Sequence, residues 1–85
     1  MAETNKEIVG FVRWISEGLS KSGKTKRIAI QEEGGVYLTY VSIPVSMLVN
    51  FKLGDRVMLR EVSEGEFNGK KYRNLSAKYG SIEVI

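Results

Sequence analysis

The sequence predicts an all-β domain, a small five-stranded Greek-key barrel with a short helix between strands 3 and 4. Glycines and polar pairs interrupt the chain at regular intervals, and the runs between them are rich in β-branched and aromatic residues. A helical spacing occurs once, after the single proline. With 85 residues, the chain is expected to form one domain, 1–85, in which 1–6 is a flexible N-terminal segment.

The first two predicted strands cover residues 8–15 and 25–31. In the first, Val12 and Phe11 lie on opposite faces because side chains alternate along a strand. Gly10 within this strand marks a sharp bend or a close approach of another backbone. The second strand alternates cleanly between isoleucines on one face and polar or small residues on the other.

The third predicted strand, 36–43, follows a tight hairpin at 33–35, where paired glycines allow positive φ angles. Within the strand, Tyr37 alternates with Leu38, so its ring is expected to point outward. Tyr40 has the parity of Leu38 and is therefore expected in the core.

One proline and two turns predict the remaining elements, a short helix and the last strands. Residues 44–51 begin with Pro44 and carry apolar residues at i, i+3 and i+4, which predicts one or two helical turns that close an end of the sheet. The fourth strand covers 56–62, and the Asn-Gly hairpin signal at 68–69 leads into the fifth strand, 70–79. A last short run, 81–85, extends the sheet.

One short helix cannot cover both faces of an open five-stranded sheet. Closing the sheet into a barrel buries one face and removes the exposed edges. A Greek-key barrel of the oligonucleotide/oligosaccharide-binding (OB) type meets both requirements. An open sandwich and an SH3-like barrel are the alternatives.

The positive charge is concentrated in two short stretches. The net charge is only +3, but 8 of the 13 basic residues lie in 21–27 and 70–78, neither of which contains an acidic residue. If the fold brings the two stretches together, they form a positive surface suited to a polyanion.

The composition argues against an enzyme. The chain has no cysteine and no histidine, and Asp55 is its one aspartate, so we expect no catalytic residues, no cofactor, no metal and no small-molecule substrate. The Gly-Lys-Thr at 23–25 lacks the first glycine and the helix of a phosphate-binding loop. No apolar run could span a membrane, and no signal peptide is evident, which predicts an intracellular protein of the cytoplasm or nucleoid.

Three segments carry a resemblance: IVGFV at 8–12, FKLGDRVML at 51–59 and GEFNGKKYRNLSAK at 65–78. The chain resembles the single-domain archaeal and metazoan single-strand DNA-binding proteins and the binding domains of replication protein A. The tryptophan that those proteins often carry on the third strand is replaced here by Tyr37 and Tyr40. Their acidic tail, through which many of them recruit partners, has no counterpart in this sequence.

In barrels of this type the binding face crosses the second and third strands, between the first–second and fourth–fifth loops. Single-strand binding needs cations for phosphates and flat rings for bases. Trp14 has core parity, but a bulge between Gly10 and Trp14 would turn it outward. The candidate cations are Arg13, Lys21, Lys24, Lys26, Arg27, Lys70, Lys71 and Arg73, and the candidate rings are Phe11, Trp14, Tyr37, Phe67 and Tyr72.

The predicted function is therefore non-catalytic, sequence-independent binding of single-stranded DNA in a basic groove, by a monomer or a dimer. Three alternatives stay open: an RNA-binding barrel, a barrel that coats duplex or chromatin, and a protein-interaction subunit of a larger complex. Exposed rings among cations favour nucleic acid, whereas exposed rings among aliphatic residues favour a protein partner.

Overall fold

Six strands and one 3-10 helix make up the fold. The computed structural model of the protein describes residues 4–85, except for the side chains at positions 4, 5 and 67. The elements in chain order are β1 (Thr4–Ile15), β2 (Thr25–Glu32), β3 (Leu38–Pro44), the 3-10 helix (Val45–Asn50), β4 (Arg56–Phe67), β5 (Lys70–Leu75) and β6 (Ser81–Val84). No helix among the described residues is long and apolar enough to cross a membrane.

Five of the strands close into a ring. Their order is β1-β2-β3-β5-β4, and β4 returns to pair with β1. All of these pairings are antiparallel except β3–β5, which is parallel and is registered at one residue pair, Ser42 with Asn74. This small OB-type barrel confirms the predicted fold class. The sixth strand, β6, adds to the β4 edge beside residues 57–60.

Several element boundaries differ from those predicted. β1 begins at Thr4 rather than at 8 and pairs with β4 from there, so positions 4–6, which we expected to be flexible, belong to the sheet. Residues 1–3 lie outside the described residues. β5 ends at Leu75 rather than at 79, and the helical turns predicted after β3 form a 3-10 helix.

β4 bends in the middle, and the bend creates an arm. Its register with β1 shifts between Lys6 and Ile8, and Glu61 has a positive φ of 62°. A bulge of this kind bends a strand and redirects its pairing. Residues 57–60 of β4 therefore pair with β6, while residues 62–67 pair with β5 in a hairpin that we call the β4–β5 arm. At its tip, Asn68 and Gly69 both have positive φ, which confirms the predicted hairpin turn.

The core is a single cluster of aliphatic side chains with one phenylalanine. Met47 and Leu48 of the 3-10 helix pack against this cluster, as expected for a helix that covers one end of the barrel. Gly10 is buried at the crossing of β1, β2 and β4, where a Cβ would overlap the backbone carbonyl oxygen of Gln31. Gly10 is thus required by a close backbone approach, as its position in the sequence predicts.

The predicted parity of the third strand was wrong by one residue. Thr39, Val41 and Ile43 face the core, and Tyr40 points outward. The hairpin at 33–35 is followed by an irregular segment, so β3 begins at Leu38 rather than at 36, and a strand that shifts by one residue exchanges its faces. Thr39 can be buried because its hydroxyl donates a hydrogen bond of 2.7 Å to Oε2 of Glu32.

Candidate nucleic-acid interface

The outer face of β1, β2 and β3 carries an aromatic row. Directly paired residues share a face of the sheet, and Ala29 of β2 pairs with Trp14 on one side and with Tyr40 on the other. The two rings meet edge to face, with centroids 6.1 Å apart and planes at 73°. Trp14 is 44% exposed and Tyr40 is 49% exposed, while Ala29 between them is fully buried. The row therefore presents two rigid, half-exposed rings to solvent.

A bulge in β1 explains why Trp14 is on this face. Val12 pairs with Ile30 and Trp14 pairs with Ala29, so the intervening residue, Arg13, has no partner in β2. Such an extra residue changes the parity of the strand beyond it. Val12 consequently points into the core and Trp14 points out, which confirms the bulge that the sequence suggested.

Phe11 lies at one end of the outer face, in a row with Gln31 and Leu38, and the unpaired Arg13 lies beside it. Nε of Arg13 donates a hydrogen bond of 2.9 Å to Oε1 of Gln31. The guanidinium of Arg13 also lies over the Phe11 ring, 5.1 Å from its centroid. These two predicted site residues are therefore neighbours, with the cation held against the ring.

A groove runs along the other end of the face, between β3 and the β4–β5 arm. It has a volume of about 380 Å³. Its walls are Arg27, Tyr40, Ser42, Lys70, Lys71, Tyr72 and Arg73. The groove forms because, in the described part of the chain, β3 and β5 are registered only at Ser42 and Asn74, and the arm diverges beyond that pair. The fold thus brings Arg27 from one basic stretch to three cations of the other.

The cations of the groove differ in their partners. Nε of Arg73 is 2.7 Å from Oε2 of Glu64, which is also 3.5 Å from Nζ of Lys6. Arg27, Lys70 and Lys71 form no ion pair with any described residue. The uncompensated positive charge of the groove therefore comes from these three side chains, and Arg73 is held in place by a carboxylate.

Tyr72 packs flat across the arm. It pairs with Gly65 of β4, and a Cβ on Gly65 would overlap the outer end of the Tyr72 ring. A strand glycine covered by a cross-strand aromatic ring is a recurrent arrangement that compensates for the missing side chain. Gly65 therefore lets the half-buried Tyr72 lie along the wall of the groove.

We expect Gly65→Ala to displace the Tyr72 ring with little loss of stability. The overlapping atoms are the far end of a side chain that can rotate, and alanine is favoured over glycine in a strand by roughly 0.5–1 kcal/mol. The free energy of unfolding should therefore change by less than about 1 kcal/mol, while the ring resonances of Tyr72 shift in the NMR spectrum. Unchanged Tyr72 resonances would contradict the packing described here.

Other predicted site residues lie apart from the groove. Lys21 and Lys24 are exposed on the loop between β1 and β2. Lys26 pairs with Ile43, so the register places it on the core side of the sheet and not on the face of Arg27. Tyr37 is 84% exposed in the segment before β3, at the end away from the groove, and the side chain of Phe67 is outside the described residues.

Tyr40 and Ser42 line the groove, although the predicted parity placed Tyr40 in the core. A signal in the sequence would have found them. The alternating residues Thr39, Val41 and Ile43 are all β-branched, and such a run is typical of the packed face of a strand. Its opposite face is then the one that carries Tyr40.

The chain matches no known family profile and no curated protein sequence. Among solved structures it is similar to the crystal structure of the tetrameric p202 HIN2, with a TM-score of 0.73. The two chains share a fold. The similarity covers 99% of this chain but only 43% of that chain, at 18% sequence identity. It supports the barrel without singling out the single-strand binding proteins that the sequence resembles.

Proposed function

We propose that the protein binds single-stranded nucleic acid, with DNA as the main ligand, and that it catalyses no reaction. The observation that carries the proposal is the juxtaposition of the Trp14–Tyr40 row with Arg27, Lys70 and Lys71 across one groove. Because its proposed ligand is DNA, we also propose that the protein acts inside the cell, in the cytoplasm or nucleoid. No group of three or more potential metal-ligating side chains occurs among the described residues, and the proposed binding requires no metal.

The rings and the cations of this arrangement match the two chemical parts of a single strand, its bases and its phosphates. An aromatic ring accepts any base, and stacking contributes about 1–3 kcal/mol per base regardless of sequence. Cations that lack a protein partner are available to phosphates, and their release of counterions makes binding dependent on salt. A duplex keeps its bases stacked inside and offers the rings nothing to stack on, so the aromatic row favours a single strand.

The decisive experiment compares labelled single-stranded DNA, single-stranded RNA and duplex DNA of equal length by anisotropy at low salt. About ten nucleotides is a suitable length, within the ~4–16 that one barrel of this type covers. We expect the single strand to bind more tightly than the duplex and to change the emission of Trp14, the only tryptophan. Equal or tighter binding of duplex would favour a duplex-coating protein, and tighter binding of RNA would favour an RNA-binding barrel.

Removing one unpaired cation should lower the salt dependence of binding. We expect Arg27→Gln to weaken binding on all sequences and to reduce the slope of log K against log salt by about 0.7, the value for one single-strand phosphate. Arg60→Gln is the matched control, because Arg60 lies on β4 away from the groove, 3.5 Å from Glu7. Equal slopes for wild type and Arg27→Gln would exclude a phosphate contact at this position.

A protein partner is the second candidate function, and one surface favours it. Val36 is 82% exposed, and it adjoins the exposed Tyr37 and Leu38 at the end of the face away from the groove. Contiguous exposed apolar residues are typical of protein-interaction sites. Failure of every nucleic acid to bind at low salt would make this candidate the better one.

A further inference from the structure

A second depression lies on the opposite side of Arg27 from the groove. It has a volume of about 250 Å³ and is formed by the end of β1, the β1–β2 loop and the outer face of β2 and β3. Trp14 and Leu19 provide its apolar surface, and Thr25, Arg27 and Ser42 provide polar groups. Arg27 lines both this depression, which we call the loop pocket, and the groove.

The loop that encloses the pocket is held by its own hydrogen bonds. The hydroxyl of Ser16 donates to the carbonyl of Gly18 at 3.0 Å and accepts from the backbone N–H of Arg27 at 3.2 Å. The backbone N–H of Ser20 donates to the carbonyl of Thr25 at 2.9 Å. The pocket is therefore formed before any ligand arrives, and binding need not order the loop.

Two hydroxyls at the pocket are free to meet a ligand. Thr25 and Ser42 share the outer face with Arg27, and neither hydroxyl has a hydrogen-bond partner among the described residues. A hydroxyl can donate or accept, so the pair can meet either kind of polar edge. The pocket thus combines a flat apolar wall, two unused hydroxyls and one unpaired guanidinium.

We propose that the loop pocket holds one unstacked nucleobase of the bound strand. This inference rests on the proposed function and adds a specific subsite to it. The base lies against Trp14 and Leu19, its polar edge meets Thr25 and Ser42, and the adjoining phosphate lies at Arg27, from which the strand continues into the groove. The volume is below the ~300–1,000 Å³ of pockets for drug-sized ligands and suits a single small ring system.

Thymidine is the probe that separates this pocket from the groove, because it carries a base but no phosphate. We expect thymidine to quench Trp14 emission and to shift the backbone amide resonances of residues 16–25 in an NMR titration. Deoxyribose, which has no base, should do neither. Equal shifts with deoxyribose, or thymidine shifts confined to the β4–β5 arm, would overturn the inference.

Leu19→Ala tests the apolar wall, and Leu53→Ala is its matched control, since both leucines are exposed and Leu53 lies in the turn before β4. We expect Leu19→Ala to weaken thymidine binding about tenfold, the lower end of the roughly 10–200-fold that one methylene contact contributes in an apolar pocket. Thr25→Val, which keeps the β-branched shape and removes the hydroxyl, should also weaken it. Wild-type affinity for thymidine in both variants would overturn the inference.

Failure of the base-binding inference can be distinguished from failure of the proposed function. If oligothymidylate binds with a strong salt dependence but thymidine leaves residues 16–25 unchanged, the groove binds a strand and the pocket holds no base. If no oligonucleotide binds at low salt, the proposed function fails, and the thymidine titration still decides whether the pocket accepts a base.

Discussion

Tyr40→Ala is expected to weaken binding of an oligothymidylate by about 1–3 kcal/mol, roughly five- to 150-fold, with the salt dependence unchanged. The ring forms half of the aromatic row and faces the groove. Its removal takes away a stacking surface but no charge, so the number of counterions released stays the same. Anisotropy titrations at several salt concentrations measure both quantities.

Tyr79→Ala is the control for this variant, because Tyr79 is an exposed tyrosine outside the groove. Both variants should keep the wild-type melting temperature to within a few degrees, since neither ring is in the core. A tyrosine packed in the core would instead cost about 3–5 kcal/mol of stability when truncated. A large loss of stability in Tyr40→Ala together with normal binding per folded molecule would contradict the outward orientation of this ring.

Gly10→Ala is expected to lower the free energy of unfolding by about 1–3 kcal/mol, the usual cost of overpacking a well-packed site. The added methyl group would overlap the carbonyl of Gln31 and lie 2.7 Å from Cγ2 of Ile30. Backbone atoms in paired strands cannot move aside as a side chain can, so β1 and β2 must separate. Each kcal/mol should lower the melting temperature by about 4–8 °C in a domain of this size.

Gly18→Ala is the matched control, because a Cβ on Gly18 meets nothing within 4 Å and the residue needs no positive φ. This variant should be neutral or slightly more stable than wild type, since alanine restricts the unfolded chain. Similar losses in the two variants would mean that the effect comes from glycine replacement in general and not from the crossing of strands at Gly10.

Local rules were sufficient to predict the barrel. Turn residues such as Asn68 and Gly69 require particular backbone angles, and alternation along β2 and the first half of β4 follows from burial of one face. The extent of the arm could not be predicted, because the second half of β4 is polar and its pairing depends on the bend at Glu61. A positive φ at a glutamate cannot be recognised from the residue type, because glutamate has no preference for this conformation.

The face that we propose for binding could be predicted from the distribution of charge, but its aromatic residues could not be predicted from strand parity. Arg27 of the first basic stretch meets Lys70, Lys71 and Arg73 of the second at the groove, because the barrel topology places β5 beside β3. The face of Tyr40 depends on where β3 begins, and a one-residue error there exchanges the two sides of the strand. Similarly, the ion pair of Arg73 with Glu64 arises from strand pairing, which a count of cations does not reveal.

The bulge in β1 also bears on how the length of this chain can vary in evolution. Arg13 lies between Val12 and Trp14 and has no partner in β2. In a chain that lacked Arg13, Val12 and Trp14 would be consecutive and could still pair with Ile30 and Ala29, in an ordinary alternating strand. Trp14 would keep its face, and every later element its register. A deletion of Arg13 would thus remove one cation and leave the architecture intact, whereas a deletion within β2 or β3 would exchange the core and surface faces of that strand.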